Sequence, residues 1–544
     1  MPFLDAETTR QLGLDAIWAR IKPESSLGRT RLRKIEAFRP EEWSELENEL
    51  DRLEHLSTLL RDDAKKADNL RFLLGSVRDI SGSLQRSTQR VTLDDMEFYE
   101  IKKLLAIVEK IHSELVTLGW TFCLDTPLDL CEECREALGR GQGGHTSFYV
   151  ADAYDEKLAQ IRTERVRLES VLATFRASVD SVLVRTAGRV LSMDGDITVS
   201  TSDQEVIAAL DDIAELCRKQ ETATFVTFQL REDERIQDVK SRLSQVREEE
   251  EERKQQVRIE LSAFVATFAP RLLTTLDQLS YLDVLLAKAT FANEIDGIRP
   301  QLSEGARMHV VEGRHLLVEE EVRQAGHDYT PLSLEISRGV TLITGPNMGG
   351  KTVSLKTIGL LTAMAQYGLL VPARFMEFQP RQFIRAHLAE ATIPKGLSAY
   401  AGEVVFLRDV IGRSDEAGLI LVDEIAHGTN PVEGAGVARA VIEHLSQKQT
   451  MTVITTHYPS LARCEGVYHL RVKGLDPDCL KKVQASSLQR CMDYRLEEAE
   501  PSKPLRSDAA AVAEALGLDS TIVQRAKELL APSTTEEKRD PTNG

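Results

Sequence analysis

Residues 341–352, TLITGPNMGGKT, carry the most informative pattern in the chain. A short apolar strand runs into Gly-x-x-x-x-Gly-Lys-Thr and then into a helix-forming segment, which is the arrangement of a phosphate-binding loop. The glycines let consecutive N–H groups point at phosphate oxygens, the lysine reaches the β- and γ-phosphates, and the threonine hydroxyl ligates Mg²⁺. The pattern predicts binding of ATP or GTP. The predicted binding residues are Gly345, Pro346, Asn347, Met348, Gly349, Gly350, Lys351 and Thr352.

Strands and helices are predicted to alternate after Pro300. The predicted strands are HLLVEEEV (315–322), GVTLITG (339–345), GLILVDE (418–424) and TMTVITTH (450–457), and the predicted helices are the loop helix VSLKTIGLLTAMAQYG (353–368) and GAGVARAVIEHLSQ (434–447). Alternation of this kind is typical of a mostly parallel sheet covered by helices on both faces. We therefore expect an α/β domain around the phosphate-binding loop.

The segment LILVDE places two carboxylates at the C-terminal end of an apolar strand, the edge where such sheets bind ligands. Asp423 is placed to hold Mg²⁺, usually through water, and Glu424 to orient or deprotonate an attacking water. Carboxylates at strand ends are often only structural. The upstream loop favours the catalytic interpretation, because phosphoryl transfer needs positioned charge more than covalent help.

Length and charge limit the classes of protein to which the chain can belong. With 544 residues it is too long for one core, so about two to four domains are expected. A net charge of -18 argues against a dedicated basic coat for nucleic acid but leaves room for a local basic surface. We find no long apolar run and no signal-peptide pattern, so the chain is predicted to be cytoplasmic.

The first 150 residues alternate charged and aliphatic positions at helical spacing, which predicts a helical core. Cys123, Cys131, Cys134 and His145 could supply four zinc ligands, but their spacing matches no standard zinc finger. Thiols packed on a helix are the alternative interpretation.

Residues 151–300 are predicted to form an arm of two long helices. The a and d positions of a coiled-coil heptad begin at Leu158 and continue at Ile161, Arg165, Leu168, Leu172, Phe175, Val179 and Val182. The second helix, roughly 233–273, continues the pattern at Ile236, Val239, Leu243 and Val246, and then loses its seam in the solvated run 248–252. A helical return, LDQLSYLDVLLAKATFANEI (276–295), follows.

A small β element is predicted at the tip of this arm. RVLSMDGDITVS (189–200) contains a hairpin turn at Asp194-Gly195, and TATFVTFQL (222–230) is a further strand candidate. Between residues 186 and 232 there are nine carboxylates and four basic residues, a net charge of -5. Because phosphate contacts supply much of any affinity for DNA, such a tip should hold duplex poorly at physiological salt.

At these motifs the sequence resembles the MutS-type DNA mismatch repair ATPases, members of the ABC-like group of P-loop proteins. The matching motifs are TGPNMGGKT (344–352), VPA (371–373), DEIAHGTNPVEG (423–434) and TTHYPSLA (455–462). The segment 349–373 and NPVEG (430–434) look more like the second bacterial MutS branch. Weaker similarity extends upstream through LDVLLAKATFA (282–292), GRH (313–315) and, faintly, the N-terminal helices.

The resemblance implies roles for individual residues. Lys351 and Thr352 become the phosphate and Mg²⁺ residues, with Asn347 close to the γ-phosphate. Asp423 and Glu424 keep the roles argued above. His457 becomes the switch histidine that senses the γ-phosphate, although a histidine at a sheet edge is by itself more often structural.

A homodimer also follows from the resemblance. The stretch GLSAYAGEV (396–404) looks like the family's signature loop, which in a dimer would bring Ser398 to the partner subunit's nucleotide and make two composite sites.

Tyr329, a few residues before the loop strand, is a candidate for stacking on adenine, and a core aromatic is the alternative. Residues 506–532 are predicted to form two short helices, which in the family help to hold the ATPase dimer together. Residues 533–544 look like a disordered tail.

The sequence also departs from the family pattern. No mismatch-reading domain precedes the helical core and no nuclease domain follows Pro532, so neither direct mismatch reading nor DNA nicking is expected. His427 stands where the family has a basic residue, and Ala399 and Tyr400 replace Thr and Phe in the signature loop.

The expected fold is a multidomain α and α/β protein. It comprises a helical core (1–150), a lever coiled coil (151–300) with a clamp-like tip (about 186–232), an ABC-like P-loop ATPase domain (301–505) and a helix-turn-helix dimerisation element (506–532).

Two functions stay open. The first is a Mg²⁺-dependent ATPase that closes around mismatched or branched DNA, which would need a basic lining on the arm from residues such as Arg162, Arg165 and Arg167. The second is a MutS-like ATPase that has lost DNA and remodels a protein client.

Overall fold

The computed structural model of the chain describes residues 2–142, 147–231, 233–346, 349–388, 398–426, 428–475, 491–499, 513–514 and 518–530. These residues divide into two compact units. The first unit holds the described residues of Met1–Gly75, Glu114–Thr126 and Leu279–Gly544, and the second holds those of Ser76–Ser113 and Pro127–Gln278. The mixed helical and α/β class is as expected, while the domain boundaries drawn from the sequence stay a prediction.

Helices account for much of both units. In chain order they are α1 (Ala6–Gln11), α2 (Leu14–Arg20), α3 (Ser26–Arg33), α4 (Trp43–Asp62), α5 (Asp68–Gly75), α6 (Ser81–Thr88), α7 (Asp95–Leu118), α8 (Glu132–Gly139), α9 (Glu156–Ala187), α10 (Gln204–Asp211), α11 (Glu234–Glu294), α12 (Leu316–Gln324), α13 (Lys351–Gln366), α14 (Ala399–Ile411), α15 (Pro431–Leu445) and α16 (Ser520–Leu530).

The strands form three sheets. They are β1 (Asp196–Ser200), β2 (Leu216–Glu221), β3 (Phe225–Leu230), β4 (Gln301–Leu302), β5 (Arg307–Gly313), β6 (Leu332–Ser337), β7 (Gly339–Thr344), β8 (Phe375–Phe378), β9 (Ile384–His387), β10 (Leu419–Val422), β11 (Met451–Thr456), β12 (Val467–Leu475) and β13 (Met492–Glu498).

A six-stranded sheet in the first unit positions the predicted site. Its order is β13-β12-β7-β11-β10-β9, and every pairing except the one between β12 and β13 is parallel. The strands β7, β10 and β11 are buried along their whole length, as expected of apolar runs inside a parallel sheet. Their C-terminal ends therefore meet at one edge. A second sheet in this unit, of order β4-β8-β5-β6, is mixed.

The segment HLLVEEEV is helical, so the prediction that it is a strand was wrong. It forms most of α12, and the N-cap residue His315 accepts a hydrogen bond from the backbone N–H of Val318. Leucine and glutamate favour helices, and Leu316 and Glu319 share the buried face three residues apart. Local propensity and capping explain the difference.

The second unit contains α9 and most of α11, which are the predicted pair of long helices. All eight heptad residues of α9 are buried or half-buried. The helices α9 and α11 run antiparallel, because Asp155, Arg162 and Glu169 pair with Arg253, Glu250 and Arg247 respectively. The segment predicted as a separate helical return belongs to α11, a single helix of 61 residues that accommodates Pro270 in its interior.

The row of heptad positions on α11 continues into the acidic run 248–252, contrary to expectation. Glu250 occupies the next seam position with its side chain only 4% exposed, and it lies within 3.2 Å of Arg162 Nε, Arg165 Nε and Lys254 Nζ. Burial opposes the charged form of Glu250, but the hydrogen bonds from Arg162 and Lys254 and the charges of Lys254 and Arg165 together outweigh it and lower its pKa. Arg162 and Arg165 are therefore occupied inside the helix pair, and exposed Arg167 faces Glu164 of its own helix.

The predicted β element is a three-stranded antiparallel sheet of order β1-β3-β2. The turn at Asp194-Gly195 is present, with Gly195 at φ 81°, but residues 189–193 are not a strand and β1 pairs with β3 instead. The predicted strand in 222–230 is confirmed as β3. Helix α10 and strand β2 were not predicted. Ile207 and Leu210 of α10 pack with Ile197, Val226 and Phe228 of the sheet in one apolar cluster.

Helix α11 is the one helix among the described residues that is long and apolar enough to cross a membrane. Core helices pass the same test of length and composition, so this finding alone is weak evidence for a membrane span.

The structure describes only part of the predicted C-terminal pair of helices, 506–532. Helix α16 is present, and Asp519 accepts a hydrogen bond from the backbone N–H of Thr521 at 2.9 Å, as expected of a helix-starting residue. Most of the first predicted helix and the predicted tail, 533–544, lie outside the described residues.

Candidate active site

The predicted phosphate-binding loop joins β7 to α13. Gly345 follows the strand directly, and a Cβ added there would lie 2.8 Å from Cβ of Val472. Gly350 precedes the helix at φ 78°, a left-handed conformation that favours glycine. Local sterics thus account for both glycines of the motif. Asn347 and Met348 lie outside the described residues.

Lys351 is the first residue of α13, and its side chain is nearly fully buried. Its Nζ donates hydrogen bonds to the carbonyl oxygens of Gly345 (3.0 Å) and Pro346 (3.2 Å), so the loop curls around the ammonium group. Burial lowers the pKa of Lys351, while the charges of Glu424 and Asp423 oppose that shift. The ammonium group therefore lies close to both predicted strand-end carboxylates.

Asp423 follows β10 and is buried between two threonines. Its carboxylate accepts hydrogen bonds from the hydroxyl of Thr352 at 2.6 Å and from the hydroxyl of Thr455 at 2.6 Å. Thr352 belongs to α13, and Thr455 belongs to β11, which pairs with β10. The structure thus joins the loop helix and two strands through a single carboxylate.

This arrangement fits Mg²⁺. The ion prefers oxygen ligands and usually keeps several waters beside one or two carboxylates and the substrate phosphates. Thr352 Oγ1 and Asp423 Oδ2 supply a hydroxyl and a carboxylate oxygen 2.6 Å apart, next to the loop. Thr352 and Asp423 therefore stay the predicted metal residues.

Glu424 and His457 form the next contact at this sheet edge. His457 Nε2 lies 2.6 Å from Glu424 Oε1 and 3.3 Å from Lys351 Nζ. A single ring nitrogen cannot donate to the carboxylate and accept from the ammonium group at the same time. The shorter distance assigns the proton of Nε2 to a hydrogen bond with Glu424. The three predicted catalytic residues are therefore adjacent.

The backbone after the carboxylates is strained. Glu424 and Ala426 have φ values of 53° and 59°, a region that side chains with a Cβ rarely adopt. Glu403, buried on α14, accepts a hydrogen bond from the N–H of Ala426 at 2.7 Å, and the Tyr458 hydroxyl donates to the Ala426 carbonyl at 3.3 Å. Such strain clusters at functional sites because the surrounding structure must hold it.

Three of these residues were not predicted from the sequence. Thr455 also accepts a hydrogen bond from the N–H of Glu424 at 2.8 Å, so it positions both carboxylate residues. Thr455 lies two residues before His457 at the end of an apolar strand, and this position could have identified it as a site residue from the sequence. Glu403 and Tyr458 contact Ala426 from segments that are distant in sequence, and no local sequence pattern reveals such contacts.

Two further predicted residues, Ser398 and Tyr329, lie in the first unit. Ser398 is exposed at the N-cap of α14, where its hydroxyl accepts a hydrogen bond from the N–H of Ala401 at 3.2 Å. Tyr329 is half-buried, and its hydroxyl accepts a hydrogen bond from the N–H of His315 at 2.9 Å. Both the stacking role and the core role of Tyr329 stay open. His427 lies outside the described residues.

The cysteines considered as zinc ligands are buried thiols. Burial raises the pKa of Cys123 and of Cys134 to about 12, and it raises that of Cys131 to about 11. These thiols stay protonated at neutral pH, as packed thiols do. His145 lies outside the described residues, and within the described ranges we find no cluster of three or more His, Cys, Asp or Glu side chains suited to a metal.

Comparison with known proteins gives the same assignment as the motifs. The family model of MutS domain V matches residues 341–532. An Endonuclease MutS2 from Geobacillus sp. (strain WCH70) is 29% identical over 523 residues, covering 92% of this chain and 62% of the relative. Its counterpart from Shouchella clausii is 28% identical over 502 residues, covering 87% of this chain and 60% of the relative.

A third relative is more similar over a shorter region. The Endonuclease MutS2 of Thermomicrobium roseum is 35% identical over 281 residues, covering 50% of this chain and 34% of the relative. The chain thus spans about three fifths of the length of the first two relatives. The match to MutS domain V and these relatives together support assignment of the chain to the MutS family.

Proposed function

We propose that the chain is a Mg²⁺-dependent ATPase whose nucleotide site is the cluster at the edge of the six-stranded sheet. One observation carries the proposal. Lys351 and Thr352 of the loop helix meet Asp423, Glu424 and His457 through contacts of 2.6 to 3.3 Å. Phosphoryl transfer needs this kind of positioned charge.

Each residue then has a role that its contacts support. Lys351 moves its N–H donors from the carbonyls of Gly345 and Pro346 to phosphate oxygens. Thr352 and Asp423 would hold Mg²⁺, which would neutralise negative charge on the phosphates. Glu424 orients the attacking water or accepts its proton, and His457 holds the Glu424 carboxylate by a hydrogen bond. We keep Asn347 as the residue near the γ-phosphate and Tyr329 as the adenine contact.

We further propose a cytoplasmic homodimer with two composite sites. Ser398 is exposed at the start of a helix, so a partner subunit could present its nucleotide there. Val432, at the start of α15, is 82% exposed, and Val404 on α14 is 42% exposed. Exposed apolar side chains on these two helices are the kind of surface that a dimer buries.

The proposed ligand of the dimer is DNA, with nucleotide state controlling the long helices α9 and α11 as arms. The family supports DNA as the partner, and mismatched or branched duplex is the finer proposal. The alternative is a protein client that the same ATP-driven movement remodels. The acidic tip and the pairing of Arg162 and Arg165 with Glu250 favour this alternative, because they remove basic surface from the arm.

ATP turnover with and without DNA distinguishes the two. We would measure turnover with perfect duplex, mismatched duplex and a four-way junction, and direct binding across a salt series. A DNA-dependent change in turnover, with affinity that falls as salt rises, is the expected result. Steady turnover with no DNA binding even at low salt would contradict the DNA proposal and leave the protein client.

A further inference from the structure

A basic surface outside the arm is available at residues 29–39, RTRLRKIEAFR, which we call the basic segment. It holds five basic residues and one carboxylate, Glu36, a net charge of +4 in a chain whose net charge is -18. The segment covers the second half of α3 and the residues that follow it, in the first unit. The ATPase site uses none of these residues.

Four of its basic side chains are exposed and have no acidic partner. Arg29, Arg33, Lys34 and Arg39 are all exposed, and in the described part of the chain no carboxylate lies within ion-pair distance of them. Arg29 donates only to the backbone carbonyls of Pro23 and Glu24. The fifth, Arg31, is half-buried with its guanidinium over the ring of Tyr281.

This pattern contrasts with the arginines of the arm. Arg162 and Arg165 share the buried carboxylate of Glu250, so their charge is compensated inside the protein. Four uncompensated cations on one short segment repel each other and attract a polyanion. Clustered Lys and Arg on one surface are the electrostatic footprint of nucleic-acid binding.

The chemistry of the segment favours phosphates of a nucleic acid over a membrane. Its larger apolar side chains, Leu32, Ile35 and Phe38, are half-buried. The exposed side chains of the segment are those of Arg29, Thr30, Arg33, Lys34, Glu36 and Arg39. A membrane-surface helix needs an exposed apolar face to insert, which is missing from this segment. Lys and Arg contacts to phosphates position a nucleic acid without reading its sequence.

The basic segment is also joined to the ATPase helix. The N–H of Phe38 donates to the carbonyl of Gln366 at 2.9 Å, and Gln366 Nε2 donates back to the Phe38 carbonyl at 2.8 Å. Gln366 is fully buried and ends α13, the helix that begins at Lys351. A ligand on the segment would therefore act on residues bonded to the far end of the loop helix.

We propose that the basic segment is the surface by which this chain holds the phosphate backbone of nucleic acid, through Arg29, Arg33, Lys34 and Arg39. The inference rests on the proposed DNA function and names the residues that would supply its missing basic surface. It assigns no base specificity.

The test compares two fourfold variants of the full chain with the parent. The first is R29Q/R33Q/K34Q/R39Q. The control is R78Q/R242Q/R323Q/R374Q, which removes the same charge from exposed arginines that are paired with Glu100, Glu249, Glu319 and Glu312. A triple variant that keeps Arg29 guards against misfolding, because Arg29 has two backbone hydrogen bonds. Binding to duplex DNA is measured from low to moderate salt, beside binding to anionic lipid vesicles and ATP turnover without DNA.

The basic-segment variant should bind DNA more weakly with unchanged turnover in the absence of DNA. The slope of log affinity against log salt should become shallower by about 0.9 for each phosphate that the protein no longer neutralises, and the control should keep the parent's slope. If the parent binds DNA and the basic-segment variant binds it as tightly as the control variant does, the inference is wrong while the DNA function stands. If the parent does not bind DNA even at low salt, the proposed function fails, and the inference with it. Loss of binding to anionic lipid vesicles alone would assign the segment to membranes and overturn the inference.

Discussion

Thr455 is the residue whose removal tests the geometry of the site most selectively. Its hydroxyl donates to Asp423 Oδ1 at 2.6 Å and accepts from the N–H of Glu424 at 2.8 Å, and the residue is fully buried. Thr455→Val keeps the shape of the side chain and removes both hydrogen bonds. It leaves every group proposed to contact ATP or Mg²⁺ in place.

The expected cost follows from these two contacts. A hydrogen bond to a charged group contributes about 1.5–3 kcal/mol, and a buried donor left without a partner costs about 1–3 kcal/mol. We therefore expect Thr455→Val to lower the free energy of unfolding by about 2.5–6 kcal/mol. If about 1.4–2.8 kcal/mol of this positioning is missing in the transition state, kcat falls about 10- to 100-fold.

The assay is steady-state ATP turnover together with chemical denaturation. Thr452→Val is the matched control, because Thr452 is equally buried on the same strand and its hydroxyl only faces that of Thr450 at 3.4 Å. Thr452→Val should keep parental turnover. Equal turnover in the two variants would refute the positioning role of Thr455.

Three further predictions concern other parts of the molecule. Lys351→Ala should weaken nucleotide binding itself, because the loop loses its ammonium group, and unchanged affinity in an equilibrium binding assay would contradict the role. Gly345→Ala should also weaken nucleotide binding, since the new Cβ would lie 2.8 Å from Val472 Cβ, whereas Gly436→Ala on α15 meets no atom within 4 Å and should be neutral. Glu250→Gln should lower the free energy of unfolding, measured with denaturant, by about 1–3 kcal/mol. This is less than the full cost of breaking a buried ion pair, because the partners of Glu250 are partly exposed. The control Glu249→Gln should lower it by no more than about 1 kcal/mol. Because the pKa of Glu250 is lowered in the folded state, its stabilising contribution is present above the ordinary carboxyl pKa and is lost as the pH falls through the lowered value. The difference between parent and Glu250→Gln should therefore vanish in acid, and a difference that persists there would contradict the ion-pair explanation.

The parts of the fold that the sequence predicted are those fixed by local pattern. The loop between β7 and α13 depends on glycines with local steric reasons, and Asp423 and Glu424 follow an unbroken apolar strand. The heptad of α9 repeats over most of that helix, so its buried face was readable from spacing alone.

The parts that were missed depend on tertiary contacts. Glu250 looked solvated because it sits in a run of five glutamates, yet the seam and the cations of the facing helix bury it. Glu403 reaches Ala426 only because α14 packs beside the strained turn. Similarly, α10 and β2 are short elements whose stability comes from the shared apolar cluster at the tip.

ATP hydrolysis by Glu424→Ala in a single turnover tests the proposed ATPase site with the fewest assumptions. The variant keeps Lys351, Thr352 and Asp423, so it should bind ATP with Mg²⁺ about as well as the parent. It lacks the carboxylate proposed to orient or deprotonate water, so bound ATP should be hydrolysed at least about 100-fold more slowly. Hydrolysis at the parent's rate would show that Glu424 is not the base and would contradict the site as described.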